Sequence, residues 1–295
     1  MDPATIIARL ARDTHGAFRF ADTGLSEGQL RTCLARGWIE RILPGVGVLV
    51  ASPASHHRDL AAALLWAGSG AVAAGASSGL LYEAIPTAPN QPVIWTPRDR
   101  RHPNVTVIRS AADRRATRRR ADGFWASSPE WTLRDLLRTE SDEHVELAFE
   151  KMRRDRMLTI ERMATHLATH VSRNEHNIQT LRTLVVDLAD TRPCESLLEV
   201  RIARALRAAR IERPERQVQV GAHRFDFAWP WRCVALECMG AKFHHDPAAW
   251  KRDLERLTAL GAATGYTILF ATWDDAKRPA RLIKAVGAAF AARAA

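Results

Sequence analysis

The sequence predicts an α/β carboxyl-terminal domain of order α-β-β-β-α-β, preceded by a mainly helical region that contains a winged helix. Three observations carry this expectation. Beyond Pro193, short runs of aromatic and β-branched residues alternate with longer helical patterns. Before it, segments with apolar residues three and four apart dominate. At the amino terminus two short helices lead into a hairpin around Pro44-Gly45, the order of a winged helix. With 295 residues the chain is long for one domain. We place a winged-helix module at 1–55, a mainly helical middle domain at 56–190 and the α/β domain at 191–295.

Pro3–Asp13 carries Ile6, Ile7 and Leu10 on one face and is expected to be the first helix, stopped by Gly16. A short segment through Phe18 and Phe20 follows. Ser26 is the expected N-cap of a helix through Gln29, Leu30, Cys33 and Leu34, ended by Gly37. Trp38–Leu43 and Val46–Val50 are the two hairpin strands. In such a module the helix Ser26–Arg36, carrying Gln29, Arg31, Thr32 and Arg36, would lie in a major groove, or else serve only as a helical cap. Further on, helices are expected at His56–Ala73 and from Ala74 to Tyr82, and strands at Pro92–Thr96 and Val105–Arg109. The segment Arg114–Arg120 holds five arginines in seven residues, and Arg118, Arg119 and Arg120 are candidate phosphate contacts. Helices then follow from Pro129 through Leu136 and at Glu143–Arg153, Ile160–Thr169 and Glu175–Leu188.

Composition narrows the partners. The formal charge is +10, which favours a polyanion such as DNA. No apolar run reaches the roughly 18 residues of a membrane span, and the start M-D-P-A-T lacks the basic and apolar regions of a signal peptide. A cytoplasmic protein without a membrane partner is expected. Cys33, Cys194, Cys233 and Cys238 form no C-x-x-C pair, which favours reduced thiols over zinc.

The chemistry concentrates in Arg224–Gly240. Two strands, Arg224–Trp229 and Cys233–Leu236, flank a Pro230-Trp231 turn, and each carries one acid. Asp226 lies among Phe225, Phe227 and Trp229, and Glu237 ends the run Val234-Ala235-Leu236. A buried acid is costly unless a cation or hydrogen bonds neutralise it, and two on adjacent strands suggest a divalent metal held by oxygen ligands. Taken singly, each acid could instead be solvated or paired with an arginine. On the preceding helix, Glu195–Ala209, Glu199 borders the stripe of Ile202 and Leu206, so it is a third ligand, an orienting residue, or a surface glutamate paired with Arg204 or Arg207. Trp229, Trp231 and Trp250 either stack on bases or pack in the core.

Taken together, Glu195-Ser-Leu-Leu-Glu199, Phe225-Asp226-Phe227-Ala228-Trp229-Pro230, Glu237-Cys-Met-Gly240, Phe243-His244, Arg252-Asp253 and Thr267–Phe270 resemble the PD-(D/E)xK restriction-endonuclease-like superfamily, in the branch similar to very-short-patch-repair endonucleases. The resemblance covers about the last hundred residues. Gly37–Gly45 resembles, more loosely, the winged helix of AbiE-type antitoxins of phage-defence systems. The resemblance implies hydrolysis of DNA phosphodiesters with Mg2+ or Mn2+, held by Asp226 and Glu237 with Glu199 completing the acidic set. It makes His244 the base or water-positioning residue, with His245 as the neighbouring alternative. Many members carry a lysine two residues after the strand glutamate, and this branch an acid or histidine; here the position is Met239, a soft thioether ill suited to a hard cation. Lys242 or Lys251 would have to reach in. Two functions remain open: an endonuclease or nickase of repair or phage defence, and an inactive DNA-binding regulator of antitoxin type with a protein partner in such a system.

Overall fold

The computed structural model describes residues 2–109, 114, 123–170, 177–239 and 247–293, with the backbone alone for 247–254. The chain is an α/β protein whose helices accompany three small sheets. It divides into two compact units, Met1–Ala148 with Glu161–Leu181, and Phe149–Ile160 with Arg182–Ala295. Segment 1–55 lies wholly in the first and 191–295 wholly in the second. Among the described residues no helix is long and apolar enough to cross a membrane.

In the first unit, Pro3 opens helix α1 (Pro3–Ala11), and Ser26 caps α2 (Glu27–Ala35) through a reciprocal exchange with Gln29. Three strands complete the module: β1 (Ala17–Arg19), β2 (Ile39–Leu43) and β3 (Val46–Leu49), in the order β1-β3-β2, all antiparallel. Ile7, Ala11, Phe18, Cys33 and Ile39 form its core. The Phe18 segment, which the sequence gives no strand, is β1. Its entry needs Gly16, whose φ is 91° and where a Cβ would stand 2.0 Å from Ser52 Oγ.

Helix α3 (His56–Ala67) ends six residues earlier than expected, at Gly68 with φ 86°. The remainder of the expected helix contains β4 (Val72–Ala73), which pairs antiparallel with β5 (Val93–Trp95); β5 in turn runs parallel to β6 (Thr106–Ile108). Helices α4 (Gly75–Leu81) and α5 (Pro129–Leu136) are joined by a buried Ser78–Thr132 hydroxyl bond of 2.7 Å. Arg114, the first of the arginine run, is buried rather than solvated: its guanidinium grips both oxygens of Asp135 at 2.6 and 2.5 Å and covers the Trp131 ring. Helices α6 (Asp142–Arg154), α7 (Ile160–His170) and α8 (Ile178–Leu188) follow, and the division between the units falls within all three.

The second unit is built on α9 (Leu197–Ala208), β7 (Glu215–Val220), β8 (His223–Trp229), β9 (Val234–Cys238), α10 (Pro247–Thr264) and β10 (Thr267–Ala271), closed by α11 (Trp273–Lys277) and α12 (Ala280–Ala291). Its sheet has the order β10-β9-β8-β7; β10 lies parallel to β9 across the α10 crossover, and the other pairs are antiparallel. Val220, Phe225, Ala228, Ala235 and Leu257 form one core cluster. Trp229 is fully buried, with its indole N–H on Glu212 O and its ring edge-on to Phe290, and so belongs to the core. Edge strand β7 is tied down by a buried ionic triad: Glu150 binds Arg153 at 2.9 Å and Arg216 at 2.5 Å.

Candidate functional site

The pairing of β8 with β9 ends at Phe227 and Leu236, one residue short of both acids. Backbone N–H groups at an opened hairpin end still require acceptors, and here the carboxylates supply them. Asp226 Oδ2 accepts from the Cys238 N–H at 2.8 Å, and the backbone of Asp226 acts to lower Glu237. Asp226 is thereby locked to the opposite strand, and the charge of Glu237 acts on it from there.

Glu199 joins them from α9. Only 5% exposed, it is the third residue of a helix capped by Ser196, and its Oε2 accepts from the Glu195 N–H at 2.8 Å. It forms no surface pair with Arg207, which lies 3.4 Å from Asp187 instead. The link from Glu199 to Asp226 is Gln217, whose Nε2 donates to Glu199 Oε2 at 3.0 Å and to Asp226 Oδ1 at 3.3 Å. Sequence reasoning missed this residue. In the run Arg216-Gln-Val-Gln-Val220 nothing distinguishes Gln217 from Gln219, yet Gln217 alone of them has φ at 53°. The register is the same on both sides of it, Arg216 opposite Phe227 and Val218 opposite Phe225, so no bulge accounts for the conformation.

Electrostatics mark the cluster. Burial, and then the neighbouring Glu237, push Asp226 up to about 6. Burial pushes Glu237 up to about 7, with the charge of Glu199 adding to it. Glu199 is raised by burial and by Asp226. In all three, burial is the largest cause and a neighbouring carboxylate adds to it. The charges of Arg224 and Arg256 act on Glu237 in the opposite direction. His223 Nε2 stands 3.3 Å from its Oε2, and Arg224 also pairs with Glu195 at 2.9 Å.

Two oxygens in the cluster, Gln217 Oε1 and Glu237 Oε2, are buried without a hydrogen bond. Orphan oxygens on a set of carboxylate and amide donors fit a hard divalent cation better than zinc or copper. Among the described residues, however, no group of three or more His, Cys, Asp or Glu side chains is arranged to hold a metal ion. Carboxylates alone do not complete such a site. The Cys238 thiol is pushed well up by burial and by Asp226, so it stays protonated and offers no thiolate. Met239 is 6% exposed and donates its N–H to Ala271 O at 2.7 Å.

His244 and Lys242 lie outside the described residues, as do His245 and Arg118, Arg119 and Arg120; the side chains of Trp250, Lys251, Arg252 and Asp253 are likewise outside them. In the first unit, Gln29, Arg31 and Arg36 are all exposed on or beside α2. The Gln29 carbonyl is already committed to the Ser26 N–H at 2.9 Å. Arg36 lies over the 41% exposed Trp38 ring at 5.0 Å. No family model matches the chain, and no curated protein matches it.

Proposed function

We propose that the chain is a metal-dependent DNA endonuclease or nickase, with Asp226 and Glu237 as the carboxylates that hold Mg2+ or Mn2+. The observation that carries this reading is the unzipped end of the β8–β9 hairpin, where two raised carboxyls and a third from α9 share one cluster. We take α9, β7, β8, β9, α10 and β10 as a restriction-endonuclease-like core, and α1, α2 and the β2–β3 hairpin as a winged helix that docks on duplex DNA through Arg31, Arg36 and the exposed edge of Gln29. Arg118, Arg119 and Arg120 would add phosphate contacts. A role in cytoplasmic repair or phage defence suits such an assembly.

A bound divalent ion would supply Lewis acidity toward a phosphoryl oxygen and toward water. The chain's own residues do the positioning. The Cys238 N–H and the Gln217 amide fix both oxygens of Asp226, and Glu199 holds that amide from behind. Arg224 and Arg256, whose charges act on Glu237, have the sign to meet a phosphate. We assign proton handling to His244 and attacking-water support to Lys242, in place of the lysine that Met239 replaces.

Plasmid nicking in Mg2+ or Mn2+ tests the proposal. Wild type should convert supercoiled to open-circular DNA, and Asp226→Ala and Glu237→Ala should each lose at least about two orders of magnitude. Equal rates in all three would reject it. One observation favours a second reading. Met239 is buried and uncharged, as in a core that has kept its fold and lost its chemistry, which would leave a DNA-binding regulator of antitoxin type with a protein partner. Tight duplex binding without Mn2+ affinity in calorimetry would decide for that alternative.

A further inference from the structure

We propose that the side-chain oxygen of Gln217 is the neutral ligand that completes the cation site of Asp226 and Glu237, an inference that rests on the metal-dependent reading above. Gln217 is 4% exposed, and the two halves of its amide have different surroundings. Nε2 faces two carboxylate oxygens, on Glu199 and Asp226. That fixes the orientation of the group, because the reversed amide would set its oxygen against both of them. Oε1 is buried with no hydrogen-bond partner. A buried carbonyl left unpaired costs about 1–3 kcal/mol.

A second cost falls on the same residue. A left-handed backbone at a non-glycine position costs on the order of 1–3 kcal/mol and persists only where its surroundings enforce it. Here the Gln217 carbonyl accepts from Arg192 Nη1 at 2.8 Å, and the preceding Arg216 is locked to Glu150 at 2.5 Å. The chain therefore spends fixed contacts on holding a glutamine in an unfavourable conformation with one oxygen unused. Core packing explains neither cost, since an apolar residue in a regular strand would avoid both. A hard cation would remove the first, the unpaired oxygen. Such ions accept amide carbonyls beside carboxylates, and the described acids do not form a site of three by themselves.

The test uses the full chain with its glutamines labelled with 13C at the side-chain carbonyl, loaded with Mn2+ and read by electron–nuclear hyperfine spectroscopy. Wild type should show a 13C coupling of the size given by a directly bound carboxamide. Gln217→Met should abolish that coupling and weaken Mn2+ binding roughly tenfold. Gln217 is one of five glutamines, so Gln219→Met, which must leave the coupling intact, identifies its origin. Should the methionine variant fail to fold, Gln217→Asn, whose shorter amide withdraws the oxygen, takes its place. Mn2+ bound with no 13C coupling, or a coupling that survives Gln217→Met, would overturn the ligand assignment and leave the metal-dependent reading standing. If wild type binds no Mn2+, the metal-dependent reading itself fails.

Discussion

With Asp226 pushed up to about 6 and Glu237 to about 7, the folded chain keeps protons that the unfolded chain releases near pH 4. Between about pH 4 and pH 7 the native state thus binds more protons than the unfolded one, and stability falls as pH rises. The cost at and above pH 7 is on the order of 2–3 kcal/mol per acid in the absence of a cation. Asp226→Asn should therefore raise the melting temperature in chelator at pH 8 and flatten the pH dependence over that window. On the metal-dependent reading, Mn2+ should stabilise wild type and not this variant; calorimetric scans with and without Mn2+ read all three effects. His166, in the first unit, has the opposite sign. Its ring is buried edge-on to Trp131 at 4.6 Å, and burial, with the charge of His170 next, pushes it down to about 4. The unfolded chain takes up the proton first, so stability is present above pH 6.5 and drains away between about 6.5 and 4, by on the order of 3 kcal/mol. His166→Gln should remove that slope in urea unfolding measured across the same range. The acids are legible in the sequence because a carboxylate inside an aromatic strand contradicts its surroundings. Gln217 is not, because alternation in Arg216–Val220 records which residues share a face and is silent on the sign of φ.

Helix α9 and strand β7 bring the distant pieces of the candidate site to one place, and each depends on a local device. For α9 it is Ser196, whose Oγ accepts from the Glu199 N–H at 3.2 Å. Ser196→Ala should cost about 1 kcal/mol in denaturant unfolding and loosen the helix start that presents Glu199. For β7 it is the triad. Glu150→Gln removes the charge that both Arg153 and Arg216 bind and should cost about 3–5 kcal/mol. Elements with long periodic patterns, such as α1, α2, α5, α9 and the β2–β3 and β8–β9 hairpins, can be read from the sequence to within a few residues. Those it hides are short. β1 and β4 contain three and two residues, too few to display an alternation, and become strands only because Val48 and Trp95 offer pairing partners. The alanine-rich run through Ala73 likewise continues the composition of α3 past the point where Gly68 turns the backbone away.

On the scale of the whole molecule, the excess of ten positive charges makes any duplex binding strongly salt dependent. Replacing Arg31 and Arg36 together with alanine should lower the slope of log affinity against log salt by about 2, near 0.9 per lost phosphate contact. An unchanged slope in fluorescence anisotropy titrations would take α2 out of the interface. The two units interleave along the chain: residues 149–160 belong to the second, although the first resumes at Glu161 and runs to Leu181. This ordering bears on how the protein is made and how it can be dissected. On the ribosome the first unit cannot close until Leu181 has emerged, while Phe149–Ile160 must wait unpartnered for strands synthesised later. A truncated gene beginning at residue 191 would encode every acid of the cluster and omit Glu150, leaving the guanidinium beside Gln217 stranded, so such a product should aggregate unless the missing peptide is supplied in trans.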